Sequence, residues 1–194
     1  MKRVPTASQT VGPFFSFGLD HPQWSDLTQG GKAAGEAIVI EGRVLDGDRA
    51  PVPDALIEIW QANAAGKYDH PEDRQEKPVD RHFHGFGRSA TDAEGRYRFK
   101  TLRPGAVPGR GNSWQAPHIN VTVFARGLLK HLVTRLYFAD SGAANDSDPV
   151  LSAIDDGAAR RTLLALPQAG EKGARVYRFD IVLQGDGETV FFDV

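Results

Sequence analysis

Trp114-Gln115-Ala116-Pro117-His118-Ile119-Asn120-Val121-Thr122-Val123-Phe124 reads as a β-strand. His118 and Asn120 alternate with Ile119 and Val121, so the polar pair shares one face and the apolar pair takes the other. Two histidines at such i, i+2 positions would grip one metal ion from a single rigid strand. Here the second position is an asparagine, whose neutral amide is a poor ligand for iron or zinc. The segment has the pattern of a metal-binding strand from which part of the ligand set has been removed.

Working outward, further stretches alternate in the same way. Residues 37–46 alternate and then run into the turn-forming Gly47-Asp48; residues 55–60 set Leu56, Glu58 and Trp60 opposite Ile57 and Ile59. Residues 95–101 follow an Asp-x-x-Gly turn, and strands are also expected at 135–138, 176–183 and 190–194. Seven strands at turn-bounded intervals, with 21 glycines and 12 prolines between and around them, predict an all-β fold, a single β-sandwich. One helical region is expected near 148–166, with Pro149 at its start and Pro167 after its end. Residues 20–36 and 64–85 read as long loops. The chain is expected to form one domain over 1–194, with an N-terminal arm and loop over 1–35 and the sandwich over 36–194. No repeat or low-complexity tract interrupts it.

The chain carries 23 Lys and Arg against 25 Asp and Glu, a formal net charge of -2. It has no basic excess for nucleic acid and no polybasic block for an anionic membrane. Its apolar runs are too short for a membrane-spanning helix, and residues 1–6 lack the apolar core of a secretory signal. The absence of cysteine removes disulfides and thiolate chemistry. A cytoplasmic location is the default expectation. No Ser-His-Asp order, phosphate-binding glycine loop or helical His-Glu-x-x-His occurs.

Seven segments in order carry a family resemblance over nearly the whole chain: Ser8 to Phe14, Leu56 to Asn63, Gly87 to Asp92, Ala116 to Asn120, Phe124 to Gly127, Thr134 to Phe138, and Gly187 to Asp193. Together they resemble the intradiol ring-cleavage dioxygenases. The resemblance implies a fold of this class and a reaction that opens a catechol ring between its two hydroxyl-bearing carbons, inserting both atoms of dioxygen. It also implies a non-haem ferric ion held by two tyrosines and two histidines, with an arginine nearby. In this chain the arginine position carries Gln115, the first histidine is His118 and the second is Asn120. One tyrosine position falls in Pro104-Gly105-Ala106-Val107-Pro108 and is occupied by Val107. Counting back from Arg88 sets the other near Gln75, where Arg74, Gln75 and Glu76 include no tyrosine. On this count one ligand of four remains, and no metal is expected on His118, Asn120 or Val107.

The resemblance therefore implies a non-metal half of a heteromer. Fe(3+) would be bound by a homologous iron-binding partner (beta) chain, with larger assemblies of such pairs, and with Thr10, Gly12, Pro13 and Arg126 facing the partner's substrate pocket. Read without the resemblance, residues 10–15 are an arm packing on its own domain, and Arg126 is a solvated strand-end arginine. Glycine suits close approach of backbone to a flat ligand, and a guanidinium suits an anionic one. His82-Phe83-His84 is an intact His-x-His in a charged loop; it reads as loop, with an autonomous metal enzyme as the alternative. A non-catalytic aromatic-binding sandwich is a third possibility. Glu58 is expected to be structural, paired with Arg43 or Arg88.

Overall fold

The computed structural model describes residues 4–170 and 175–193. The arm runs without regular structure to a 3-10 turn at Pro22–Ser25. β1 (Ala37–Leu45), β2 (Leu56–Trp60), β3 (Phe86–Ala90) and β4 (Arg96–Leu102) follow, then a small hairpin of β5 (Val107–Pro108) and β6 (Trp114–Gln115). β7 (His118–Phe124) and β8 (Leu132–Phe138) lead to three short helices, α1 (Gly142–Asp146), α2 (Pro149–Ser152) and α3 (Gly157–Arg161). β9 (Leu164–Ala169), β10 (Arg175–Arg178) and β11 (Ile181–Val182) complete the order.

The strands pair along the path β4-β1-β10-β9-β8-β7-β2-β3, with β11 continuing beside the end of β1. β4, β1 and β10 form one face; β8, β7, β2 and β3 form the other. β9 joins them, antiparallel to β10 and parallel to β8. Alternate residues of both faces point inward: Ile38 and Ile40 from β1, Ile57 and Ile59 from β2, Ile119, Val121 and Val123 from β7, all buried with Phe99, Phe138 and Tyr177. This is the all-β sandwich expected from the alternation, and the inward face of β7 is the predicted one. A smaller cluster of Ala116, Tyr137, Leu151 and Leu163 lies on the outer side of β8, covered by the short helices.

The helix expected over 148–166 is two short helices and the start of a strand. Asp148 caps α2, accepting from the Val150 and Leu151 N–H groups, and Asp156 caps α3, accepting from Ala158. Two caps eight residues apart start two helices rather than one. Pro167 ends no helix; it sits within β9 opposite Tyr177. There β9 has already left β8, whose pairing stops at Ala165, so the missing N–H interrupts no second ladder. Residues 190–194 were expected as a strand, but of those described only Phe192 makes a bridge, to Val133. The 176–183 stretch divides into β10 and β11. β3 lies where the pattern gave no strand. Among the described residues no helix is long and apolar enough to cross a membrane.

Glu58 pairs with Arg88 at 2.6 Å across β2 and β3, and both are half-buried. The Arg88 guanidinium also lies over the Trp24 and Phe86 rings, 5.5 and 5.0 Å from their centroids. Glu58→Ala is expected to cost about 1 kcal/mol, because a short charge-assisted bond is lost at a site that water still reaches. Urea unfolding of the variant beside the Arg88→Ala and double variants checks it: additive losses would show that the two side chains do not interact.

Candidate functional site

Candidate residues lie at both ends of β7. At its start, His118 is buried and Nδ1 lies 2.8 Å from the Ala116 carbonyl. A carbonyl only accepts, so Nδ1 carries the proton. Burial, first, and the neighbouring Arg135 charge, second, push the His118 pKa down to about 4. The imidazole is therefore neutral. Its ring packs against Tyr137, 5.6 Å between centroids, and the Tyr137 hydroxyl reaches Asp148 at 3.2 Å. Asp148 is fully buried and also accepts from the Ala116 N–H at 2.8 Å. His118 is thus held in a packed polar cluster, the ordinary role for a lone core histidine.

Asn120, two residues on, donates from Nδ2 to the Trp60 carbonyl at 3.3 Å and lies 3.5 Å from the Tyr68 hydroxyl. Trp60 and Tyr68 stack, with centroids 5.7 Å apart and planes 18° from parallel. Both line a cavity of about 760 Å³, together with Gln75, Val107 and Pro108. Val107 and Gln75, the two positions counted as former tyrosine ligands, therefore come to one cavity, and Asn120 touches its wall. Gly66 makes this possible: at φ +76°, a Cβ there would stand 2.1 Å from the Ala106 carbonyl oxygen. Only a residue without a side chain lets the 104–108 turn approach the loop that carries Tyr68.

The phenol beside Asn120 is Tyr68, which the count back from Arg88 passed over. The loop bends sharply, so seven residues of sequence separate Tyr68 from Gln75 although both line the same cavity. The only signal for Tyr68 was its spacing from Trp60, which is not periodic. Burial raises the Tyr68 pKa, partly offset by the Asn120 amide, so the hydroxyl keeps its proton. The four ligand positions thus carry one imidazole, the Asn120 and Gln75 amides and the Val107 isopropyl group, with no anionic side chain among them. That set does not fit a ferric ion, which takes anionic and imidazole donors. Among the described residues no group of three or more His, Cys, Asp or Glu side chains is close enough to hold a metal.

The far end of β7 holds the other candidates. Arg126, just past Phe124, is exposed and pairs with Asp54, Nη2 to Oδ2 at 2.7 Å and Nε to Oδ1 at 3.3 Å. The next residue, Gly127, donates its N–H to Thr10 Oγ1 at 2.8 Å. Thr10 and Arg126 are thereby brought together. Gly12 and Pro13 continue the arm and are exposed; a Cβ on Gly12 would meet nothing within 4 Å. Phe14 and Phe17 are 72% and 76% exposed, with their ring centroids 5.4 Å apart. The four residues form an open ledge at the opposite end of β7 from the cavity.

The remaining candidates make local contacts. His82 and His84 are exposed on either side of buried Phe83. His84 meets Gln29 at 2.8 Å and Asp69 at 3.9 Å, and among the described residues no metal-sized group of three His, Cys, Asp or Glu side chains includes the pair. Glu58 takes Arg88, one of its two expected partners.

Comparison with known proteins agrees with this geometry. A family model described as "Dioxygenase" matches residues 10–185. The alpha chain of protocatechuate 3,4-dioxygenase from Pseudomonas putida is 41% identical, over 97% of this chain and 96% of its own. The beta chain from Burkholderia cepacia is 41% identical, over 94% of this chain and 77% of its own. The dioxygenase domain of a carbohydrate-binding fusion from Streptomyces sp. SirexAA-E superposes with a TM-score of 0.60 at 27% identity, over 94% of this chain and 99% of that one. The strand order, the cavity at the head of β7 and these similarities have one explanation: this chain belongs to the intradiol ring-cleavage dioxygenase family.

Proposed function

We propose that this chain is the alpha-type subunit of a protocatechuate 3,4-dioxygenase, which cleaves 3,4-dihydroxybenzoate with O2 to 3-carboxy-cis,cis-muconate. In this reading the Fe(3+) belongs to a homologous beta chain, and the enzyme is a higher oligomer of alpha-beta pairs, with the cytoplasm as its compartment. One observation carries the reading: of the family's four ligand positions, those of Asn120, Gln75 and Val107 hold two amides and an isopropyl group, and only His118 can ligate. The chain's own part is to shape the pocket, exclude water and set its field. Thr10, Gly12, Pro13 and Arg126 are the residues proposed to do so. They stand on an exposed ledge, with a flat Gly-Pro backbone for an aromatic ring and a guanidinium for its carboxylate.

The test is co-expression with an iron-binding homologue of the beta type. The expected result is co-elution as a heteromer, iron in the partner's amount, and consumption of 3,4-dihydroxybenzoate that neither chain performs alone. Stoichiometric iron and turnover in this chain by itself would overturn the proposal. Within the heteromer, Arg126→Ala is expected to lower kcat/KM about fivefold or more, equivalent to about 1 kcal/mol, with iron content unchanged. Because Arg126 also pairs with Asp54, Asp54→Ala is the control. A pocket role predicts that this variant keeps activity, whereas equal losses in both variants would assign the pair to local structure.

A further inference from the structure

The cavity at the head of β7 is the least explained feature of the chain. At about 760 Å³ it lies within the size range of small-molecule sites, far above a packing defect. Its floor is the stacked Trp60 and Tyr68 pair, with His70 edge-on to Trp60 at 6.5 Å. Val107 and Pro108 form an apolar wall on the β5–β6 hairpin. A stacked aromatic floor with an aliphatic wall selects flat rings.

Its polar groups divide into committed and free. Asp73 is committed: it accepts from the backbone N–H groups of Tyr68 and Gln75, from the Gln75 side chain and from the Lys67 ammonium. Burial opposes its charge, yet these bonds together hold its pKa below the usual carboxylate range. The Gln75 amide nitrogen is likewise used, on the Gly66 carbonyl and Asp73. The Gln75 Oε1 and the hydroxyl hydrogen of Tyr68 have no bond among the described residues. At the mouth, the Arg74 guanidinium is 87% exposed and only loosely near Glu72, at 3.8 Å. The rim thus presents the Arg74 cation beside the Glu72 carboxylate, with an acceptor and a phenolic donor inside.

We infer that this cavity is a metal-free binding site for a monocyclic hydroxylated aromatic acid. The ring lies against Trp60 and Tyr68, its hydroxyl donates to Gln75 Oε1 and accepts from Tyr68, and its carboxylate turns outward to Arg74. No covalent step accompanies binding. The site stands on this chain's own geometry, so it holds or falls independently of whether an iron-binding partner exists.

The test uses this chain alone in EDTA, titrated with 4-hydroxybenzoate and with 4-methylphenol by calorimetry and tryptophan fluorescence. Saturable one-to-one binding is expected, tighter for the acid than for the phenol. Val107→Phe fills the space against the aromatic floor and is expected to weaken both probes about tenfold or more. Arg74→Ala, at a surface position that cannot unfold the chain, is expected to remove the preference for the acid and leave the phenol's affinity unchanged. Absence of saturable binding in the wild-type chain overturns the inference, as does undiminished binding in a natively folded Val107→Phe variant. If Val107→Phe does not fold, the Arg74→Ala comparison decides: an unchanged acid preference overturns the site.

Discussion

Phe14→Ser/Phe17→Ser is expected to leave this chain folded and to weaken its association with the proposed iron-binding partner by two to three orders of magnitude. The two rings are largely exposed and touch one another rather than the core. Removing them therefore deletes little folding energy. Covering a phenylalanine is worth roughly 2 kcal/mol, so two rings covered by a partner supply about 4 kcal/mol, or about a thousandfold in affinity. The arm is attached near its start by the Thr10 bond to Gly127 and near its end by a long contact from the Ala90 N–H to Asp20. It is thus held in place while its apolar side chains face solvent, an arrangement suited to a surface that another chain completes. Sedimentation of the co-expressed pair, with thermal unfolding of this chain alone, measures both effects. An intact heteromer would mean that the partner docks elsewhere. A fall of several degrees in Tm for the isolated chain would mean that the rings belong to its own packing.

Strand positions were legible because the residues that enter the main core recur with a period of two, although Val39, Leu56 and His118 are buried on the other face as well. The inward residues of β1, β2 and β7 are those the alternation selects. The 148–166 region misled because composition and prolines at both ends suit a helix, while the actual punctuation lies in two aspartate caps inside it. Asp148 does more than cap: it also joins Ala116 and Tyr137, a contact 32 residues distant that no local pattern reveals. The site was legible through the family resemblance, which sets the non-ligating Val107 and Asn120 where metal ligands are expected. What stood in their place was not. Tyr68 reaches Asn120 only because the 63–68 turn, with its positive-φ Gly66, folds back under the hairpin. Likewise the pairing of Arg126 with Asp54 joins residues 72 apart, and alternation carries no information about it.

The second large effect is on pH, and it distinguishes a committed core histidine from a vacant ligand. A histidine unfolds to a pKa near 6.5, whereas His118 in the folded chain sits at about 4. The folded state therefore disfavours the proton. Its contribution to stability is complete above about pH 6.5, declines as pH falls through the interval, and is gone below about 4. The gap of about 2.5 pH units corresponds to roughly 3 kcal/mol, of which most is lost by pH 4.5. Asp26, Asp73, Asp80 and Asp140, held against burial below the usual carboxylate range by their hydrogen bonds, also lose stabilisation as pH falls, but mainly below about pH 4, so they leave this window largely to His118. Facing groups oppose one another: Arg135 disfavours the imidazolium and Asp148 favours it. Urea unfolding of the wild-type chain at pH 7.5 and 4.5, at fixed ionic strength, should show a loss of roughly 2–3 kcal/mol. His118→Gln keeps an amide that can donate to the Ala116 carbonyl and cannot titrate, so its stability should be nearly equal at the two pH values. If the variant loses as much as the wild type, the buried imidazole is not the titrating group, and the packed Tyr137–Asp148 cluster must open to water before it does.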